Sequence, residues 1–333
     1  LISPTSEAAV KAVTYDSFGP PEVLELKEIP KPAPADNQVL IKVHAITVTA
    51  GDWRCRTRIV PRGFGLVSGL VLGFRSPRQP ILGSELSGVI EAVGGAVGRF
   101  EVGDEVFAFT GTKMGCYVEY KCLAEDGTLA AKPANLSHEE AAALSFGGTT
   151  ALGFLRKAGI REGDRVLVNG ASGGVGTAAV QLAKHFGAEV TGVCSTANLE
   201  LVKSIGADTV IDYTGEDFSR NGETYDIILD TTGTAPFSRS KVSLTEEGRL
   251  LMVLGSLPTM LEGPWVSLTS HRKVIASVAK WDADDLVFLA GLAEEGRFKP
   301  VIDRRYPFEE IVEAHRYVDA GHKKGNVVVT VAN

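Results

Sequence analysis

Residues 166–176 read Val-Leu-Val-Asn-Gly-Ala-Ser-Gly-Gly-Val-Gly and run straight into Thr-Ala-Ala-Val-Gln-Leu-Ala-Lys-His-Phe. The chemistry open to such a run is capture of a dinucleotide pyrophosphate. Gly173 lets the backbone approach the phosphates, and Gly176 lets the next helix lie close on the sheet. From about Gly174 that helix offers free N–H groups and the positive end of its dipole. Ala171, Ser172 and Val175 complete the turn. Nothing in the chain reads as an activated nucleophile: there is no Gly-x-Ser-x-Gly elbow and no Cys–His signature. Cys55, Cys116, Cys122 and Cys194 form no Cys-x-x-Cys pair, which suits a reducing cytosol and a cytoplasmic protein.

The elements that must hold this turn change character along the chain. The first third alternates apolar and polar residues in short runs, at Val39–His44, Leu86–Val93, Glu105–Phe109 and Tyr117–Leu123. Many glycines separate them, as in a small antiparallel barrel or sandwich. Ser137-His-Glu-Glu140 is a capping box, and a helix starts there. Strands and helices then alternate: strand Val166–Asn169, helix Gly174–Phe186, strand Glu189–Val193, helix Leu199–Ile205. Further strands fall at Val210–Ile211, Tyr225–Asp230 and Arg249–Leu254. Alternation of this kind gives parallel strands with crossover helices. One more strand follows Lys273, then helices over about Ala283–Glu295 and Phe308–Ala320 and a last strand Asn326–Val331. Residues 59–80 are apolar and rich in Gly and Pro. They read either as a packed core loop or as an apolar wall or lid beside a pocket.

With 333 residues the chain suits about two domains. A net charge of −7 gives no electrostatic footprint for nucleic acid or anionic lipid. No stretch of about 20 apolar residues could span a bilayer, so no membrane is expected. Leu1–Ala9 is polar and reads as a disordered lead-in rather than a signal peptide.

Several motifs then stand in one order. They are Val39-Leu-Ile-Lys-Val-His-Ala, Ala50-Gly-Asp-Trp-Arg, Leu82-Gly-Ser-Glu-Leu-Ser-Gly-Val-Ile, Val102-Gly-Asp-Glu-Val-Phe, Gly148-Thr-Thr-Ala-Leu, the glycine turn, Gly206-Ala-Asp and Gly325-Asn-Val-Val-Val. In these the chain resembles the medium-chain dehydrogenase/reductase superfamily, in its zinc-free, zeta-crystallin-like quinone oxidoreductase branch. The resemblance implies an α/β protein. A GroES-like β-rich catalytic domain (1–128, with 275–333 returning to it) would be interrupted by a Rossmann doubly wound parallel-sheet domain (129–274). It also implies a homodimer formed by edge-strand pairing. Zinc members of the superfamily carry a Cys near the position of Gly51 and a His at Ser84, and a structural lobe with four close cysteines. This chain has none of these, and a closed zinc site wants four N or S ligands, so no zinc is expected. His44, His138 and His185 read as surface or core residues.

By the same resemblance Thr49, Asp52 and Trp53 stand at the nicotinamide end, where many relatives have Asn in place of Thr49. Asp52 could orient a water or a ribose hydroxyl, or be a turn carboxylate. Thr150 would face the nicotinamide, or back-bond to its own helix. Leu254-Gly255 ends a strand, where ligands of parallel sheets bind, and Asn326 is a weaker cofactor candidate. Phe64, Phe74 and Trp265 could line an apolar substrate pocket, or be plain core. About 20 residues past the glycines, where an NAD site holds an acid, stands Cys194-Ser-Thr-Ala-Asn. Small hydroxyls suit a 2′-phosphate, so NADPH is expected, with NADH possible. The resemblance puts Ser195 and Tyr213 at that phosphate. Without zinc, acceptors that spread the incoming charge themselves are favoured: quinones and α,β-unsaturated carbonyls. An enoyl-thioester or 2-alkenal reductase and a non-catalytic NADPH sensor or structural protein stay open.

Overall fold

The computed structural model describes residues 9–276 and 281–331; most of the expected lead-in lies outside them. Six parallel strands form one sheet in the spatial order Thr209–Asp212, Glu189–Cys194, Arg165–Asn169, Tyr225–Asp230, Leu244–Met252 and Lys273–Ile275. Helices cover both faces of a sheet of this kind, and its strands are accordingly continuous β-branched and leucine runs. Val166–Val168 and Ile227–Leu229 are completely buried. Strand order reverses between Arg165–Asn169 and Tyr225–Asp230, which opens a crevice at their carboxyl ends. Helix Ser145–Ala158 packs on helix Gly174–His185. Contact is close because Gly147 faces Gly174, where an added Cβ would come within 2.6 Å of the Gly174 carbonyl.

The second sheet has seven strands centred on Gln38–Val48. This strand pairs antiparallel with Glu85–Val93, Tyr120–Ala124 and Asn326–Thr330. Its inner residues Val39, Ile41, Val43 and Ile46 are fully buried. Ile302–Pro307 runs parallel to Asn326–Thr330, so the chain re-enters its first sheet after completing the parallel one. Among the described residues no helix is long and apolar enough to cross a membrane.

Three local readings are corrected, and one helix that the sequence left unassigned is added. Residues 59–80 are not a packed core loop: Gly65–Leu72 is a helix whose small residues Ser68 and Gly69 face inward, under Phe74, while its aliphatic residues face solvent. Leu257–Thr269 is a helix although Pro264 lies inside it; Ser256 caps its start and Pro258 suits the first turn. Strand Leu244–Met252 starts earlier and stops two residues before Leu254, so Leu254-Gly255 lies in the loop beyond the strand end. Tyr117 precedes its strand, and its N–H bonds to the Leu82 carbonyl at 3.0 Å.

Candidate active site

A cleft of about 670 Å³ opens over the glycine turn, bordered by Ser172, Gly173, Gly174, Val175, Ser195, Asn198, Tyr213, Thr231, Thr232 and Lys323. Gly170 reverses the chain at φ +83°. An added Cβ at Gly176 would sit 2.0 Å from the Gly170 carbonyl, so only glycine lets the helix begin this close to the turn. Ala171 is buried beneath the turn and does not reach the cleft. Asn198 donates from Nδ2 to the Ser172 and Ser195 hydroxyls at 3.1 and 3.2 Å, which leaves both serine hydrogens free to point at a ligand. On the opposite wall the buried Asp230 carboxylate accepts from Asn169 Nδ2 and from the backbone N–H groups of Thr232, Gly233 and Ala235, shaping the loop that carries Thr231 and Thr232.

The last strand reaches the same place. Gly325 N–H donates to the Ser172 carbonyl at 2.8 Å, and Gly325 pairs with Gly173 as an isolated bridge. Lys323 is brought to the start of the glycine-turn helix, its ammonium held on the Gly325 carbonyl at 2.5 Å. Burial pushes the ammonium down to about 8, against the attraction of Glu85 and Asp303. Sequence reasoning missed this lysine; its only signal is that it stands two residues before Gly325. Asn326 is buried, with its amide on the Val301 carbonyl, and does not border the cleft.

A second cavity of about 370 Å³ shares Ala50, Phe146, Val175 and Thr231 with the cleft. Thr150, Arg54, Phe64, Leu254, Gly255, Met260 and Trp281 also line it, so its walls are largely apolar. Trp281 stands edge-on to Phe109 at 5.2 Å. The hydroxyl that back-bonds to its helix is that of Thr149, to Ser145, not that of Thr150. Trp53 borders the cofactor cleft rather than this pocket. Phe74 and Trp265 are half or more exposed, outside both cavities.

Thr49 and Asp52 lie just behind the wall and border neither cavity. They form a capping box at the start of helix Ala50–Thr57: Asp52 accepts from Thr49 N and Oγ1 at 2.8 and 2.6 Å, and from Gly83 N at 3.2 Å. Tyr117 also hydrogen-bonds it. Burial pushes the Asp52 carboxyl up to about 6 against these bonds. Behind Tyr117 sit His315 and the fully buried Arg56. Arg56 donates from Nε to His315 Nδ1, from one terminal nitrogen to the Gly19 carbonyl at 2.7 Å, and from the other to both oxygens of Asp319.

Glu85 is a further buried carboxylate beside this wall. It accepts from the Thr47 hydroxyl and the Phe146 N–H, and burial pushes it up to about 7. Ser84 stands where the resemblance puts a zinc-ligating His, and the neighbouring Asp52 and Glu85 carboxylates are engaged by the protein's own donors, a set poorly suited to zinc. Among the described residues no group of three or more His, Cys, Asp or Glu could hold a metal ion.

Comparison with known proteins agrees with this architecture. Residues 35–158 match the alcohol dehydrogenase GroES-like domain and residues 205–329 the zinc-binding dehydrogenase model. The chain is 35% identical to 2-methylene-furan-3-one reductase of Solanum lycopersicum, over 96% of this chain and 79% of that protein. It is 33% identical to the quinone oxidoreductase of Homo sapiens, over 95% and 96%. The structure of the quinone oxidoreductase from Coxiella burnetii superposes with a TM-score of 0.87 at 32% identity, covering 98% of this chain and all of that one. The chain belongs to the medium-chain dehydrogenase/reductase superfamily. Within it the chain groups with the quinone oxidoreductases and is an oxidoreductase that uses a nicotinamide cofactor.

Proposed function

We propose that the protein is an NADPH-dependent, metal-independent reductase of quinones or α,β-unsaturated carbonyl compounds. The observation that carries this is the junction of the two cavities: a dinucleotide cleft opens, past Phe146 and Val175, into an apolar pocket whose nearby carboxylates are all engaged. Bound there, the reduced nicotinamide supplies a hydride. The chain's residues do the rest. Ser172, Gly173, Gly174 and Lys323 hold the pyrophosphate, by backbone N–H groups and one ammonium. Ser195 and Tyr213 receive the adenosine 2′-phosphate. Asp319, the carboxylate among the residues lining the cleft, is paired with Arg56, and Asp212 is turned onto Thr196 and Thr214. Phe146, Phe64 and Trp281 exclude water from the acceptor, and Thr150 offers a hydroxyl to its developing oxyanion. Thr49 and Asp52 position the wall that carries Ala50 and Trp53.

The lobes are read as 129–274 for the dinucleotide and 1–128 with 275–333 for catalysis. The parallel sheet supports this division broadly, but strand Leu129–Ala131 pairs with Glu105–Phe109 in the seven-stranded sheet, which carries the first lobe to at least Ala131, and strand Lys273–Ile275 carries the parallel sheet to Ile275. A homodimer is supported by the open sheet edge at Lys273–Ile275. The test is NADPH oxidation by 1,4-benzoquinone and by a small enone, before and after chelator. Turnover of either acceptor that survives chelation supports the reading. NADPH binding without turnover of any acceptor favours a sensor, and turnover lost to chelator overturns metal independence.

A further inference from the structure

Of seventeen large apolar side chains exposed among the described residues, eleven come from residues 59–74 and 257–268. Leu66, Leu70, Leu261 and Leu268 are 53–86% exposed. A monomer rarely leaves such a patch bare without a use for it. The two helices that carry the patch adjoin: Leu257 N–H donates to the Arg62 carbonyl at 3.0 Å, and Gly63 lies against the Leu257 side chain. Each also sends one residue, Phe64 and Met260, into the wall of the substrate pocket. The patch therefore borders the mouth through which an acceptor passes.

Charge at this mouth departs from that of the molecule. Residues 53–84 contain no Asp or Glu and six arginines, of which Arg56 is buried on Asp319, in a chain of net charge −7; Glu262 on the second helix is the one carboxylate within the patch segments 59–74 and 257–268. Arg62, Arg75 and Arg78 are exposed beside the apolar helix. An outward apolar helix rimmed by arginine is the pattern of a segment that lies in a membrane interface. Anionic headgroups would pair with the rim, while the aliphatic residues enter the acyl boundary. A second copy laid face to face on this patch fits less well, because it would bring two arginine rims together; the proposed homodimer pairs instead through the Lys273–Ile275 edge.

We propose that this face docks on an anionic lipid bilayer, so that apolar acceptors pass from the lipid directly into the pocket. The inference rests on the reductase reading for its purpose but not for its test. The full chain is sedimented with vesicles of phosphatidylcholine alone or mixed with phosphatidylglycerol. Binding should be about tenfold greater on the anionic vesicles and lost at about half-molar salt. Both Leu66→Ser/Leu70→Ser/Leu261→Ser and Arg75→Glu/Arg78→Glu should lose it, keep their turnover of water-soluble benzoquinone, and slow about tenfold on a long-chain quinone held in vesicles. Absent or charge-independent vesicle binding overturns the proposal. So does dissociation of a native oligomer by the leucine variant, which assigns the face to a second copy. If no variant and no native protein reduces benzoquinone, the reductase reading fails while vesicle binding still decides the docking.

Discussion

The Tyr117 hydroxyl lies 3.1 Å from Nε2 of His315, joining the back of the active-site wall to a helix 198 residues further along the chain. The direction of this contact is set by Arg56, whose Nε donates to His315 Nδ1. Burial and the guanidinium push the imidazole down to about 3, so it is neutral at ordinary pH. Its one proton therefore sits on Nε2 and is donated to Tyr117, which frees the phenol to donate to Asp52. Three side chains thus aim one train of hydrogen bonds at the carboxylate that caps the wall helix.

Arg56→Ala should destabilise the fold by roughly 2–4 kcal/mol, since it removes a fully buried guanidinium and leaves the Gly19 carbonyl, His315 and the half-buried Asp319 without their donor. Arg56→Lys should recover less than half of that, because an ammonium cannot grip Asp319, Gly19 and His315 together. Urea unfolding of the three proteins reads both values, and equal stability of wild type and Arg56→Ala would contradict the role given to the train.

Glu85 ties stability to pH. Its carboxyl is held near 7 in the fold, above the ordinary value of 4.5. The folded state therefore binds an extra proton between those values; its stabilising contribution is complete below about 4.5 and lost as pH rises through 7. Glu85→Gln can still meet both Thr47 and Phe146. It should flatten the melting temperature between pH 5 and 8 and be the more stable protein at pH 8, by roughly 1–3 kcal/mol. A slope unchanged by the substitution would place the titration elsewhere.

Lys323→Met should weaken NADPH binding about tenfold, the worth of one charge-assisted contact. The wild-type ammonium loses its proton near 8. Native affinity should consequently fall between pH 7 and 9, while the variant stays flat. Fluorescence titration across that range separates a phosphate contact from a merely structural lysine.

Ser195→Asp would set a carboxylate where the 2′-phosphate is read to lie. The ratio of kcat/KM for NADPH over NADH should drop at least about tenfold. An unmoved ratio would place the phosphate away from Ser195.

Thr150→Val keeps the shape of the pocket wall and removes one hydroxyl. Loss of a single donor to a developing oxyanion should lower kcat by about 10- to 100-fold with little change in NADPH affinity. A fall in affinity with kcat intact would mean that Thr150 serves binding instead.

The phosphate turn was legible because every requirement falls within eleven consecutive residues, from the strand Val166–Val168 to Gly176. Lys323 was not legible, because it reaches the turn only through pairing of Gly325 with Gly173, across 152 residues. Motif placed Thr49 and Asp52 at the nicotinamide end, whereas they bond each other behind the wall and border neither cavity, a burial that local sequence does not show. The helix Gly65–Leu72 defeated the pattern because it inverts the usual rule, turning Ser and Gly inward and leucine out. Helix Leu257–Thr269 was hidden by Pro264. Net charge is an average: −7 overall conceals a stretch, residues 53–84, with six arginines and no Asp or Glu.

The pairing of Gln38–Val48 with Asn326–Thr330 fixes an order of events during synthesis. A ribosome makes Gln38–Val48 before, and Asn326–Thr330 after, the residues that lie between them. All six strands of the parallel sheet lie between them and can assemble while translation continues. The first lobe is therefore completed only after the parallel sheet has been made, and until Asn326–Thr330 emerges the Ala45–Val48 half of one edge of its central strand stays unpaired and open to other chains.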